Sequence, residues 1–77
     1  MSNFEKYINA FVNALNTSPE DAKKAEYKQG DWDSVGHMIL IGEIEDAFGI
    51  ELETDDIINI NSFEEGVNIL KKYNVEM

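Results

Sequence analysis

The chain has no cysteine, one proline and one histidine in 77 residues, and each scarcity removes a class of chemistry. Without thiols there are no disulfides and no thiolate metal centre, and His37 alone cannot build a histidine-rich one. Any thioester chemistry here needs a thiol brought by a cofactor. Long apolar runs are missing too: the longest aliphatic stretch is Met38 to Ile41, far short of the roughly 20 residues that span a bilayer. The opening Met1-Ser2-Asn3-Phe4-Glu5-Lys6 lacks the basic and apolar regions of a signal peptide, so the expectation is a cytoplasmic protein without membrane insertion. The length allows one domain, residues 1–77, with a small core and no room for a separate catalytic unit.

Positive charge is scarce where it matters. The formal net charge is −10. Residues 1–30 hold four acids against four lysines, whereas residues 31–56 hold nine acids (Asp31, Asp33, Glu43, Glu45, Asp46, Glu51, Glu53, Asp55, Asp56) and no base. An acidic surface is most often only a solvated face. Concentrated in one element, it also draws basic partner surfaces and repels nucleic acid, which leaves protein partners.

What is present reads as all-α. Ser2 and Glu5 fit a capping box, and Phe4, Tyr7, Ile8, Phe11, Val12 and Leu15 follow at helical spacing, giving a first helix from Asn3 to Leu15. Residues 16–33 read as a long loop pinned by Tyr27 and Trp32, with one helical turn capped by Ser18 and opened by Pro19. A second long helix spans Ser34 to Phe48 and ends at Gly49, a left-handed cap. Thr54 to Ile58 forms a short helix. Ser62 and Glu65 make a second capping box for a last helix reaching Tyr73, after which Asn74 to Met77 is expected to fray. The expected fold is a four-helix bundle, three longer helices plus one short, with a long loop between the first two, in a monomer.

The second long helix carries two apolar faces. At roughly 100° per residue, Leu40, Ile41, Ile44, Ala47 and Phe48 share a core-facing arc. Val35, Met38, Ile39 and Gly42 fall on the opposite side, which folding does not explain. They read as a docking patch with Glu43, Glu45 and Asp46 as its charged rim. The competing reading is that the loop Asn16 to Asp33 folds over this face. At the start of the same helix stands Ser34, in Gly30-Asp31-Trp32-Asp33-Ser34-Val35-Gly36-His37-Met38. Unpaired N–H groups and the helix dipole favour a phosphate ester there, although the plainest reading of such a serine is an N-cap.

Asp33-Ser34-Val35 resembles the Asp-Ser-Leu signature of acyl carrier proteins, with Val35 in place of leucine, and Leu40, Ile44, Phe48, Ile50, Leu52, Ile60 and Leu70 match that family's apolar spacing without a gap. The resemblance covers residues 4–73. It implies a 4′-phosphopantetheine arm on Ser34, attached from coenzyme A by a phosphopantetheinyl transferase with Mg²⁺, with Asp33 helping to place the serine. The arm's thiol would hold an acyl or aminoacyl group as a thioester and present it to loading and transferring enzymes with basic docking surfaces. The chain itself would catalyse nothing. A short acyl chain can be sheltered among Ile41, Ile44 and Ile60, side chains the core needs anyway. Carriers of housekeeping fatty acid synthesis usually have acids where this chain has Gly36 and Ile39, and a larger apolar residue at Gly42. The stretch is also similar to stand-alone carriers of D-alanine, surface-polysaccharide and natural-product pathways, and the cargo stays open among these and fatty acid synthesis.

Rival readings are weaker. Asp31, Asp33 and Gly36 fit positions 1, 3 and 6 of a calcium-binding loop, but position 12 falls on Gly42, so the bidentate glutamate is missing. Ser34 and His37 lie one helical turn apart, yet no nucleophile elbow or orienting partner accompanies them, and His37 reads as a surface residue without a catalytic role. The acids of residues 51–56 specify no metal site. The reading from a different class is an unmodified acidic interaction module in which Ser34 only caps its helix.

Overall fold

The computed structural model describes residues 1–77 and contains five helices: α1 Asn3–Leu15, α2 Pro19–Ala22, α3 Ser34–Phe48, α4 Thr54–Asn59 and α5 Phe63–Lys71. It is all-helical, with one isolated antiparallel bridge, Glu26 to Ser62. No helix is long and apolar enough to cross a membrane.

Local chemistry sets most of the boundaries. At α1 the Ser2 hydroxyl accepts from Glu5 N while Glu5 Oε1 accepts from Ser2 N, so each side chain satisfies a donor the helix cannot. The same reciprocity pulls the Glu5 carboxyl below its usual range. Ser18 caps α2, with Pro19 in its first turn. At α5 only half of the expected box forms: Ser62 Oγ accepts from Glu65 N. Gly49 ends α3 at φ 62°, a left-handed conformation that costs glycine nothing.

The core is one cluster of 16 buried residues. Tyr7, Phe11 and Phe63 meet ring to ring at 4.7–5.2 Å, and Trp32 lies edge-on to Phe11 at 5.2 Å. From α3, Leu40, Ile41 and Ile44 enter it, with Phe48 half-buried against them, while Ala47 is half-buried at a recess between α1 and α3 rather than in the core. The Tyr7 hydroxyl crosses the core to donate to Phe63 O, and burial pushes its phenol far above the ordinary range.

Two expectations are corrected at the C-terminus. The last helix stops at Lys71 rather than Tyr73, and Asn74 turns left-handed at φ 64°. The tail packs instead of fraying: Val75 is buried, its N–H reaches Leu70 O, and Glu76 O accepts from Asn3 Nδ2. A further tie holds α4 to the end of α5. Asp56 is buried at 6% exposure and accepts from Lys72 Nζ at 2.7 Å and from the Tyr73 hydroxyl at 2.5 Å. The Lys72 and Tyr73 hydrogen bonds, in that order, hold the Asp56 carboxyl below its ordinary value.

Candidate functional site

Trp32 determines where Ser34 points. Its side chain is sunk in the core at 1% exposure, and its N–H closes a turn to Gln29 O. Truncating an indole buried like this to alanine costs about 3–5 kcal/mol, a large share of a small domain's stability, so the loop is fixed at this residue. The chain leaves Trp32 outward and exposes both Asp33 and Ser34.

Asp33, not Ser34, is the N-cap of α3. Its Oδ1 accepts from Gly36 N at 2.8 Å and its carbonyl from His37 N at 2.8 Å. Ser34 is therefore the first helical residue, and the reading of Ser34 as a cap is corrected. An aspartate in extended backbone supplies the better cap, because its charge also favours the helix dipole. The Ser34 hydroxyl has one neighbour in the chain, the Tyr27 hydroxyl at 3.3 Å. The N–H groups of Ser34 and Val35 have no acceptor within the protein. A phosphate ester on Ser34 fits this setting: two donors are free, and the carboxylate of Asp33 opposes one negative charge by only about 1 kcal/mol at 4 Å in water.

Beside Ser34 opens a groove of about 410 Å³ between α3 and α4, lined by Tyr27, Ser34, His37, Met38, Ile57, Ile58 and Asn61. His37 is its keystone rather than a surface residue. Trp32 Nε1 donates to His37 Nδ1 at 2.9 Å, so Nδ1 is unprotonated, and Nε2 carries the proton it donates to Ile57 O at 2.7 Å. The imidazole thus ties the loop, α3 and α4 together in one neutral tautomer, with the Trp32 and His37 rings nearly parallel at 18° and side by side, centroids 6.0 Å apart. This involvement leaves it unsuited to act as a base toward Ser34. Helical periodicity held a signal for it: His37 falls within the arc of Leu40, Ile41 and Ile44, not with the outer face.

The outer face of α3 is open. Val35, Met38 and Ile39 are 70%, 61% and 49% exposed, and Gly42 and Asp46 are exposed with them. The loop Asn16 to Asp33 packs on the other side and does not cover this face. Ile58, 64% exposed on α4, extends the apolar surface across the groove. The three expected rim acids diverge. Asp46 lies on the patch, Glu43 is half-buried and faces a recess shared with Lys6 and Asn9 of α1, and Glu45 Oε2 accepts from Leu52 N at 2.9 Å. Glu45 is thus committed to holding the chain after α3.

Gly36 is buried, and a Cβ there would collide with the Asp31 carbonyl and crowd Leu15 at 3.1 Å. Ile41, Ile44 and Ile60 are packed into the core, and the open space lies in the Ser34 groove instead. No three acidic, histidine or cysteine side chains come together as a metal site. Sequence reasoning missed Tyr27, Ile57, Ile58 and Asn61 as site residues, because they converge from the loop before α3, from α4 and from the link between α4 and α5. Adjacent Ile57 and Ile58 in a six-residue helix offered a faint signal, since one of them had to face out.

Among known proteins, no family model matches the chain and no curated sequence matches it.

Proposed function

We propose that this protein is an acyl carrier of the phosphopantetheine-binding kind, a small bundle whose Ser34 bears the arm and whose α3 is read by partner enzymes. The observation that carries this reading is the division of labour at the start of α3. Asp33 does the capping, and Ser34 is left exposed, free of any structural task, at the mouth of an apolar groove and next to an uncovered apolar face.

In the loading step the Ser34 hydroxyl acts as acceptor. Its oxygen forms a bond to the pantetheine-bearing phosphorus of coenzyme A as the diphosphate P–O bond breaks. The nucleotide half leaves with the bonding pair, and the serine proton passes to a base of the transferase. The arm supplies the thiol that this cysteine-free chain lacks. The chain's own residues then have three tasks. Ser34 and Val35 offer N–H groups to the ester, Tyr27, Met38, Ile57 and Ile58 wall the groove beside it, and Val35, Met38 and Ile39 present a dry surface to partners. Asp33 at the start of α3 and Asp46 further along it, both exposed, set negative charge beside that surface, which speeds encounter with basic partners in a salt-dependent way.

The buried Gly36 favours a carrier of a specialised pathway over a housekeeping one, since an acidic side chain does not fit there without moving the Asp31 carbonyl. The test is direct: with coenzyme A, Mg²⁺ and a promiscuous transferase, intact mass should rise by one arm, and Ser34→Ala should gain none. A native protein that stays unmodified overturns the reading.

A further inference from the structure

The carrier reading gives the Tyr27 ring a wall of the groove but leaves its hydroxyl without a task, and the placement of that hydroxyl is over-determined. The Tyr27 N–H donates to Asn61 O at 2.8 Å, and the flanking residues are fixed by the Glu26 to Ser62 bridge and by Lys28 N donating to Trp32 O at 2.7 Å. The ring stands edge-on to His37 at 5.3 Å and to Trp32 at 6.2 Å, and those two are tied by the bond between Trp32 Nε1 and His37 Nδ1. Three separate elements therefore hold one phenol against Ser34. Its hydroxyl has no other partner in the chain.

The contact itself is informative. At 3.3 Å it is longer than the roughly 2.5–3.0 Å of a well-formed bond between hydroxyls, so it adds little to stability. Two hydroxyls converge at the groove mouth, each with capacity to spare for a third oxygen. Lys28 Nζ lies 5.9 Å from the centre of the Tyr27 ring, which brings a cation to a neighbourhood where Asp31 and Asp33 are both exposed acids.

We infer that Tyr27 is the positioning residue of the Ser34 site: its hydroxyl hydrogen-bonds the serine oxygen before loading and a non-bridging oxygen of the phosphodiester after it. The inference rests on the carrier reading and adds the residue of this chain that fixes the ester's orientation. A rigid donor at that point orders the serine for in-line attack, and then directs the arm along the groove that the Tyr27 ring walls.

Tyr27→Phe removes the hydroxyl and keeps the aromatic packing. In the full chain, loading by a purified transferase should show kcat lowered about three- to tenfold with KM for coenzyme A unchanged, the equivalent of one hydrogen bond. The ³¹P resonance of the loaded protein should shift, while the thermal midpoint stays near the native value. Tyr73→Phe, which strips a hydroxyl from the tie between α4 and α5, should leave kcat and the ³¹P resonance at native values. If the native protein loads and Tyr27→Phe matches it in kcat and in ³¹P position, the inference is overturned and the carrier reading stands. If the native protein does not load at all, the carrier reading falls and this inference with it.

Discussion

Separating Ser34 from the helix cap gives the sharpest test of the site. Asp33 Oδ1 satisfies the Gly36 N–H at 2.8 Å, capping the first turn of the helix that supplies Leu40, Ile41 and Ile44 to the core. Replacing an N-cap aspartate by alanine costs about 0.5–2 kcal/mol, and a value of about 1 suits this exposed position. For a domain of this size that lowers the thermal midpoint by roughly 4–8 °C. Ser34 offers a contrast one residue away. Its only hydrogen bond is the long contact with Tyr27, and alanine is the better helix former by up to about 0.7 kcal/mol, so the two effects nearly cancel. Ser34→Ala should therefore unfold within about 0.5 kcal/mol of the native protein. Asp33→Asn, which keeps the accepting oxygen but loses the charge, should fall between them. Urea and thermal unfolding followed by circular dichroism at helix wavelengths reads all three variants. A Ser34→Ala variant as unstable as Asp33→Ala would refute the assignment of the cap. It would also remove the argument that Ser34 is free for chemistry.

Further outcomes follow from other contacts. Because the folded Asp56 carboxyl lies below its ordinary value of 3.8, its stabilising effect is complete above that pH and is lost as the pH falls through the lower folded value; the thermal midpoint should thus drop more steeply on the acid side of 3.8 in the native protein than in Asp56→Asn. Gly66→Ala places a Cβ against the Tyr7 hydroxyl, which cannot yield because it is buried and bonded to Phe63 O, so urea unfolding should report a loss of about 1–3 kcal/mol. Met38→Glu and Ile39→Glu, both on exposed positions, should leave stability within about 0.5 kcal/mol yet weaken association with a loading enzyme as measured by calorimetry. Partner binding that is indifferent to both would place docking elsewhere.

Much of the helical framework was legible because its causes are local. Ser2 with Glu5, Ser18 with Pro19, and Gly49 act within one turn of their own position, so α1, α2 and the C-terminal end of α3 could be read directly. The outward face of Val35, Met38 and Ile39 follows from helical period alone, and the structure leaves it uncovered. The choice between Asp33 and Ser34 as cap was not legible, since both residue types cap well and only the backbone conformation distinguishes them.

By itself the sequence determined the helix count to within one short turn, the two faces of α3, the acidity around it and the exposure of a serine at its start. Those properties depend on neighbours within a few residues. Tertiary structure alone decided that the pinning Trp32 would donate to His37 and His37 in turn to Ile57 O, that Gly36 would meet the Asp31 carbonyl, and that Tyr27 would reach Ser34. Each of these joins residues from different elements, or sets a side chain against a backbone carbonyl. Such pairings come from the packing of a single core, which no local pattern encodes.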